Sequence, residues 1–170
     1  MTKNIKKLAD SNFENILVIG YGNSLRSDDG AGCRVADIVT SWGLPYVRSL
    51  SVHQLTPELA EPIAQSQLTI FVDACFVDAS VDRNLFDMKV CKVCNVDDLA
   101  GDLALAGMGH QFDPRSLLLL VQQVYGKNPV AYLLLLPAVN LDFGEKLSDI
   151  TCQGVEQAVD FVKTLCTKLV

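Results

Sequence analysis

A loop near the start of the chain places two acidic residues side by side. The segment Gly20–Gly30 reads GYGNSLRSDDG, and its glycines allow the backbone to turn sharply off the residues before it. Asp28 and Asp29 close this loop, at the entrance to a segment that suits a helix. One of the two carboxylates can cap that helix while the other projects into a crevice. The residue types therefore suit a platform that presents a carboxylate.

The same glycines invite comparison with a dinucleotide-binding loop. The third glycine of that fingerprint would follow Gly20 and Gly22 at a position that is occupied here by Leu25. Asp28 and Asp29 would also face the pyrophosphate, and each such contact is unfavourable by roughly 1 kcal/mol even at high dielectric. The loop therefore disfavours a nucleotide-binding module.

The cysteines offer a second kind of chemistry, which the spacing does not favour. Cys91 and Cys94 have the spacing of a redox or zinc pair, but they lie in a strand-like segment, where such positions point to opposite faces. Three cysteines fall at helical positions and are predicted to be small core residues: Cys33, Cys152 and Cys166. The sequence also lacks the Gly-x-Ser-x-Gly elbow and the His-Glu-x-x-His helix of other hydrolases.

Strand-like and helix-like segments alternate along the chain. Strands are predicted at Ile16–Gly20, Pro45–Val52, Leu68–Ala74, Phe86–Val93 (an edge) and Val130–Leu136. Helices are predicted at Gly32–Trp42, Thr56–Gln65 and Asp113–Tyr125, and from Ser148 or Asp149 to about Lys168. The alternation predicts an α/β fold, a single-domain three-layer α/β/α sandwich with a mostly parallel sheet. Residues 1–15 are predicted to be a flexible N-terminal tail, ahead of one domain over residues 16–170.

Composition excludes several classes of partner. The chain has 170 residues, of which 49% are hydrophobic and 20% charged, so it can bury a core. Its formal net charge of −6 disfavours nucleic acid as a partner. No apolar stretch approaches the ~20 residues that span a bilayer, and no signal peptide is recognisable. We therefore expect no membrane association, and reduced cysteines in the cytoplasm.

Short motifs in order along the chain resemble those of the hydrogenase maturation endopeptidases. They are the loop Gly20–Gly30, the strand end Val72–Ala74 and the segment Gly109–Gln111 ahead of a helix. Two further stretches, His53–Ala60 and Leu136–Gly144, look most like the peptidases that serve bidirectional, NAD(P)-linked NiFe hydrogenases. The resemblance runs from about Ile16 to Phe161 and implies a phosphorylase/hydrolase-like form of the three-layer fold.

The resemblance also implies which residues act. In that family the second acid of the loop is a nickel ligand, here Asp29, and the matching acid and histidine are Asp73 and His110. It implies an aspartyl-type or metal-dependent endopeptidase that removes the C-terminal extension of a NiFe hydrogenase large-subunit precursor after nickel insertion. Nickel would be borne by that substrate and bound transiently, with no organic cofactor. We expect the peptidase to be a monomer.

These three residues make chemical sense together. In an open α/β sheet, ligands bind beyond the carboxyl ends of the strands, where Asp29, Asp73 and His110 are expected to converge. Two carboxylates and an imidazole suit a divalent transition metal with open positions, whereas a structural zinc site would have four ligands. The metal could polarise the scissile carbonyl or activate a water. Alternatively, it serves only as a recognition anchor, while an Asp acts as general base.

Other interpretations remain open on the sequence alone. His53 follows the second strand, near the same edge of the sheet. It could be a direct metal ligand, but its place favours a residue that flanks the ligands or the next helix. Cys75 borders Asp73, and as a nucleophile it would need a base. A non-catalytic nickel-sensing maturation chaperone on the same fold is the main alternative, and a small-molecule hydrolase is a third. The segments Asn95–Gly109 and Asp78–Asn84 are predicted to contact the substrate at a shallow, broad site.

Overall fold

The computed structural model describes residues 13–77, 87–93 and 112–166. The strands are β1 (Ile16–Tyr21), β2 (Val47–Val52), β3 (Leu68–Phe76), β4 (Lys89–Val93) and β5 (Val130–Ala138). The helices are α1 (Ala31–Thr40), α2 (Ala60–Gln65), α3 (Pro114–Tyr125) and α4 (Asp149–Cys166). Two 3₁₀ turns, Ser27–Gly30 and Pro57–Leu59, lead into α1 and α2.

The five strands form one sheet in the order β2-β1-β3-β5-β4. Neighbouring strands run parallel except at the β4 edge, which is antiparallel to β5. The carboxyl ends of the four parallel strands therefore lie at one edge, which we call the carboxyl edge. The predicted α/β fold with a mostly parallel sheet is confirmed.

Two apolar clusters cover the two faces of the sheet. One joins β-strand residues to α1 and α4, through residues such as Val35, Val39, Ala158 and Val162. The other joins the opposite face to α2 and α3, through residues such as Ile63, Leu117 and Val121. Because the helices shield both faces from water, the strands can be apolar almost throughout. The architecture is the predicted three-layer α/β/α sandwich.

The structure moves several predicted boundaries. β3 and β5 run two residues further than predicted, because their pairing continues as far as Phe76 and Ala138. The prediction that Cys152 is a core residue is wrong, since it lies on the exposed side of the first turn of α4, whereas Cys33 and Cys166 are buried.

The packed chain begins before the predicted boundary at residue 16. Phe13 packs against the cluster under α1 and α4, and the N–H of Glu14 donates to the side chain of Gln67 at 2.7 Å. The rest of the predicted tail, residues 1–12, lies outside the described ranges. Among the helices in those ranges, none combines the length and the apolar character needed to cross a bilayer.

Candidate active site

Close backbone contacts hold the first loop against the carboxyl edge. Gly22 has φ +135°, which side-chain-bearing residues rarely adopt, and a Cβ there would overlap the carbonyl of Asp29. A Cβ on Gly32 would overlap the carbonyl of Val72 and would lie 2.6 Å from that of Tyr21. The amino end of α1 therefore sits directly on the ends of β1 and β3, and the glycines make that approach possible.

Asp29 occupies the 3₁₀ turn that this approach creates. Its side chain is half-buried, and one carboxylate oxygen accepts a hydrogen bond from the N–H of Asn23 at 2.9 Å. Its own N–H donates to the carbonyl of Arg26 at 3.1 Å. The loop therefore fixes the position of this carboxylate at the carboxyl edge.

Asp73 lies at the same edge, on β3. The pairing of Gly20 with Val72 places Tyr21 beside Asp73 on the adjacent strand. Burial raises the pKa of Asp73 to about 6, against the effect of hydrogen bonds from the Tyr21 side chain and the Ala74 N–H, and the charge of Asp29 raises it further. The two predicted acids therefore lie at the same edge of the sheet, on the loop after β1 and on the neighbouring strand.

A third acid faces the same tyrosine. Asp113 caps α3, accepting a hydrogen bond from the N–H of Ser116 at 2.7 Å, as its place before Pro114 predicted. Burial raises the pKa of Tyr21 well above its ordinary value, and the charges of Asp73 and Asp113 contribute to the increase. The start of α3 therefore lies at the carboxyl edge, beside the two predicted acids.

The predicted histidine lies outside the described residues. His110 and the flanking residues of its motif fall in the undescribed range 94–111. The two predicted substrate-contact segments are also undescribed: Asn95–Gly109 lies in the same range and Asp78–Asn84 in the range 78–86. Within the described ranges, no three His, Cys, Asp or Glu side chains form a group that could hold a metal ion. The three-residue set therefore stays a prediction, of which the structure describes two members.

Asp28, the other acid of the pair, has a structural role. It has no exposed surface, and its carboxylate accepts hydrogen bonds from the N–H groups of Val139 (2.9 Å), Asn140 (2.8 Å) and Ser148 (2.6 Å) and from the Ser148 hydroxyl (2.9 Å). Burial alone would raise the pKa of Asp28, but these hydrogen bonds outweigh it and lower the pKa. Neither acid caps α1. The carboxylate of Asp28 instead binds Ser148 at the start of α4.

The loop after β5 is bonded along its length to the first loop. The Ser27 N–H donates to the carbonyl of Gly144 at 2.7 Å, and its hydroxyl donates to the carbonyl of Asp142 at 3.0 Å. Ser27 has φ +47°, a costly conformation for a residue with a side chain, which these bonds hold in place. Sequence reasoning missed this partnership, for which the only local signal was Ser148 at a predicted helix start.

Two further candidates from the sequence have weaker support. His53 directly follows β2 and its side chain is exposed. Burial raises the pKa of Cys75, and nearby Lys89 only partly opposes it, so the thiol stays protonated. A protonated thiol is a poor nucleophile, which disfavours Cys75 in that role.

Solved structures of hydrogenase-processing enzymes resemble the chain over almost its whole length. The NiFe hydrogenase maturation protease HycI from Thermococcus kodakarensis KOD1 superposes with a TM-score of 0.70 at 19% identity, over 95% of this chain and 99% of that one. The hydrogenase maturating endopeptidase HybD from E. coli has a TM-score of 0.65 at 18% identity, over 91% and 93% of the two chains. No protein-family model and no curated protein matches the sequence.

One such structure is also more similar in sequence. The hydrogenase 2 maturation peptidase from a Thaumarchaeota archaeon is 26% identical, with a TM-score of 0.63, over 92% of this chain and 99% of that one. The first two structures establish the fold, and this one adds a somewhat higher sequence identity. The strand order and these likenesses agree: the chain has the fold of the hydrogenase maturation proteases.

Proposed function

We propose that this protein is an endopeptidase that removes the C-terminal extension of a NiFe hydrogenase large-subunit precursor after nickel has been inserted. One observation carries the proposal: Asp29, on the loop after β1, and Asp73, on the adjacent strand β3, share the carboxyl edge. Ligands of open α/β sheets bind at this edge. HycI and HybD, which share the fold, are themselves a maturation protease and a maturating endopeptidase.

We infer that His110 joins this pair in holding the nickel of the precursor. Asp113, whose charge affects Tyr21 at the carboxyl edge, follows His110 by only three residues. Three residues of extended chain span at most about 10 Å, so an imidazole at position 110 could reach Asp29 and Asp73. Carboxylate oxygens and an imidazole nitrogen are suitable ligands for nickel, and three ligands leave positions for atoms of the precursor.

The ionisation of Asp73 suits work on a peptide bond. In the metal-free protein, a carboxyl group with a pKa of about 6 can take up and release a proton near neutral pH. As general base it would take a proton from water while the water oxygen bonds to the carbonyl carbon; the C–N bond then breaks and the departing amine is protonated. Nickel on the precursor would polarise the same carbonyl, or lower the pKa of a bound water from ~15.7 towards ~7.

A nickel-sensing chaperone on the same fold could use the same two acids. The mass of the precursor separates the two functions, since an enzyme shortens it by a defined C-terminal fragment and a chaperone leaves it intact. The experiment incubates purified precursor, with and without nickel, with this protein and follows intact mass. We expect one cleavage product, formed only from the nickel-loaded precursor. An unchanged mass of that precursor would contradict the endopeptidase.

We further propose that the hydrogenase served is the bidirectional, NAD(P)-linked type, and that processing takes place in the cytoplasm. The segments His53–Ala60 and Leu136–Gly144 support the first point by their resemblance to peptidases of that type. The free cysteines of the described part of the chain suit a reducing compartment. Comparing precursors of the bidirectional type and of another NiFe type tests the first point, which fails if both are cut equally well.

A further inference from the structure

An exposed pair of apolar side chains borders the candidate active site. Phe143 is 90% exposed and Leu25 is 54% exposed, and an exposed patch of large apolar side chains is more informative than one such residue alone. Arg26 and Gly144 form a parallel bridge, and this register sets Leu25 beside Phe143. The N–H of Gly144 donates to the carbonyl of Leu25 at 3.0 Å, which ties the two segments at this point. We call these two side chains the Leu25–Phe143 patch.

Hydrogen bonds hold the backbone of the two segments that carry the patch. The Arg26 side chain donates through Nε to the carbonyl of Leu141 at 3.1 Å. The N–H of Asp142 donates to the side chain of Asn140 at 3.0 Å, and the N–H of Asp28 donates to the Asn140 carbonyl at 3.0 Å. The exposure of Phe143 therefore belongs to a fixed conformation and cannot be relieved by a small rotation of a loose loop.

The patch is also fixed relative to the candidate active site. The N–H of Leu25 donates to the side chain of Asn23 at 3.0 Å, and the N–H of Asn23 donates to the carboxylate of Asp29 at 2.9 Å. A protein bound to the patch would therefore be positioned relative to Asp29. An open cleft of about 340 Å³ lies between the two loops, α1 and the start of α4, and its lining includes Ser24 and Glu145, which are close to the patch in sequence.

We propose that the Leu25–Phe143 patch docks the protein substrate, by receiving an apolar side chain that the precursor presents next to the segment to be cut. This inference rests on the proposed function and adds the surface that recognises the partner. An exposed Phe gains about 1.5–3 kcal/mol when it is fully buried, which is ample for a recognition contact. Release of the product requires that such a contact stay modest, as a single apolar anchor is.

The size of the patch favours a transient substrate over a second copy of this chain. An aromatic side chain buries at most about 150–250 Å². A stable complex of standard size buries about 800 Å² on each partner. Two side chains fall well short of that area, but they suffice as the anchor of a short-lived enzyme–substrate complex.

Steady-state processing of the nickel-loaded precursor by Phe143→Ser and Leu25→Ser tests the proposal. We expect KM to rise about tenfold for Phe143→Ser, the loss typical of a hot-spot side chain, with less than a twofold change in kcat. The matched control is Val124→Ser, which removes a 62% exposed apolar side chain. Val124 lies near the C-terminal end of α3, away from the carboxyl edge, so both constants should stay unchanged. A thermal unfolding curve for each variant confirms that it is folded.

The alternatives give different results. An unchanged KM in both patch variants, or an equal rise in the Val124→Ser control, would overturn the docking role, as would a concentration-dependent dimer that Phe143→Ser abolishes. Equilibrium binding of the precursor to the wild type and to Phe143→Ser separates this inference from the proposed function. Tenfold weaker binding by the variant, without cleavage by either protein, would support the patch and contradict the endopeptidase. Cleavage by the wild type, with equal binding of the precursor by both proteins, would support the endopeptidase and contradict the docking role of the patch.

Discussion

Two adjacent acids in one loop have opposite surroundings, and these decide their roles. Asp28 is fully buried and surrounded by donors, whereas Asp29 is half-buried with one donor to its carboxylate. A buried carboxylate is tolerated only when its oxygens are satisfied, which commits Asp28 to holding the loop after β5. Asp29 is left to face the carboxyl edge with Asp73.

The pKa of Asp73 predicts a pH dependence of stability in the metal-free protein. The folded-state pKa is about 6 and the unperturbed value is 3.8, so the folded state binds more protons than the unfolded chain between these values. Asp73 therefore lowers the free energy of unfolding as pH rises through this window, and its effect is constant above it. Asp73→Asn removes that contribution.

Urea denaturation at about pH 4 and about pH 7 measures this effect, because the folded and unfolded states bind different numbers of protons between these two values. The stability of Asp73→Asn relative to the wild type should increase from the lower to the higher pH. Comparing the two proteins cancels the other titrating groups, including Asp28, whose lowered pKa acts in the opposite direction at lower pH. A difference that is independent of pH would show that Asp73 titrates normally.

Asp28→Asn should destabilise the fold although it preserves the shape of the side chain. An amide nitrogen would face donors of Val139, Asn140 or Ser148, so at least one buried N–H loses its acceptor. We expect a loss of about 1–3 kcal/mol in the free energy of unfolding, measured by urea denaturation. Asp29→Asn is the control, with a smaller loss because this side chain is half-exposed. Equal losses in the two variants would contradict the assigned roles.

At the scale of elements, the contact between α1 and the strand ends depends on the absence of a side chain. In Gly32→Ala the new Cβ would meet the carbonyls of Val72 and Tyr21, neither of which can move without disturbing the sheet. We expect a loss of about 3 kcal/mol in the free energy of unfolding, as in severe overpacking. Gly43→Ala, at φ +62° with open space around it, should cost only the conformational penalty of about 1–2 kcal/mol. Comparable losses in the two variants would contradict this account of the contact.

The elements were predictable to the extent that local pattern determines them. Apolar runs identified the buried strands, and Asp113 before Pro114 identified the start of α3. Local pattern does not specify pairing between distant segments, so the extension of β3 to Phe76 along β5 was missed. The bonds that Asp28 makes to residues more than 100 positions away were missed for the same reason. Cys152 was mispredicted because helical position alone does not tell which side faces solvent.

At the scale of the whole molecule, the proposed function depends on what the fold brings to one edge. Parallel strands carry their carboxyl ends to the same side, so Asp29 and Asp73 are brought to one edge although 44 positions (73 − 29) separate them. The order of the motifs and the family resemblance indicated that meeting, whereas the burial that raises the pKa of Asp73 required the structure. The family resemblance assigns His110 to the same edge, and it stays a prediction.

The most direct test of the central claim is single-turnover processing of nickel-loaded precursor, followed by intact mass, with Asp29→Asn, Asp73→Asn and His110→Ala. Because each residue is proposed to hold the nickel or to move the proton, each variant should process at least about 100-fold more slowly. Asp142→Asn, an exposed acid on the neighbouring loop, should process at the wild-type rate. Processing within a few-fold of the wild-type rate by any folded variant of the three would contradict the claim that these residues act together on the precursor.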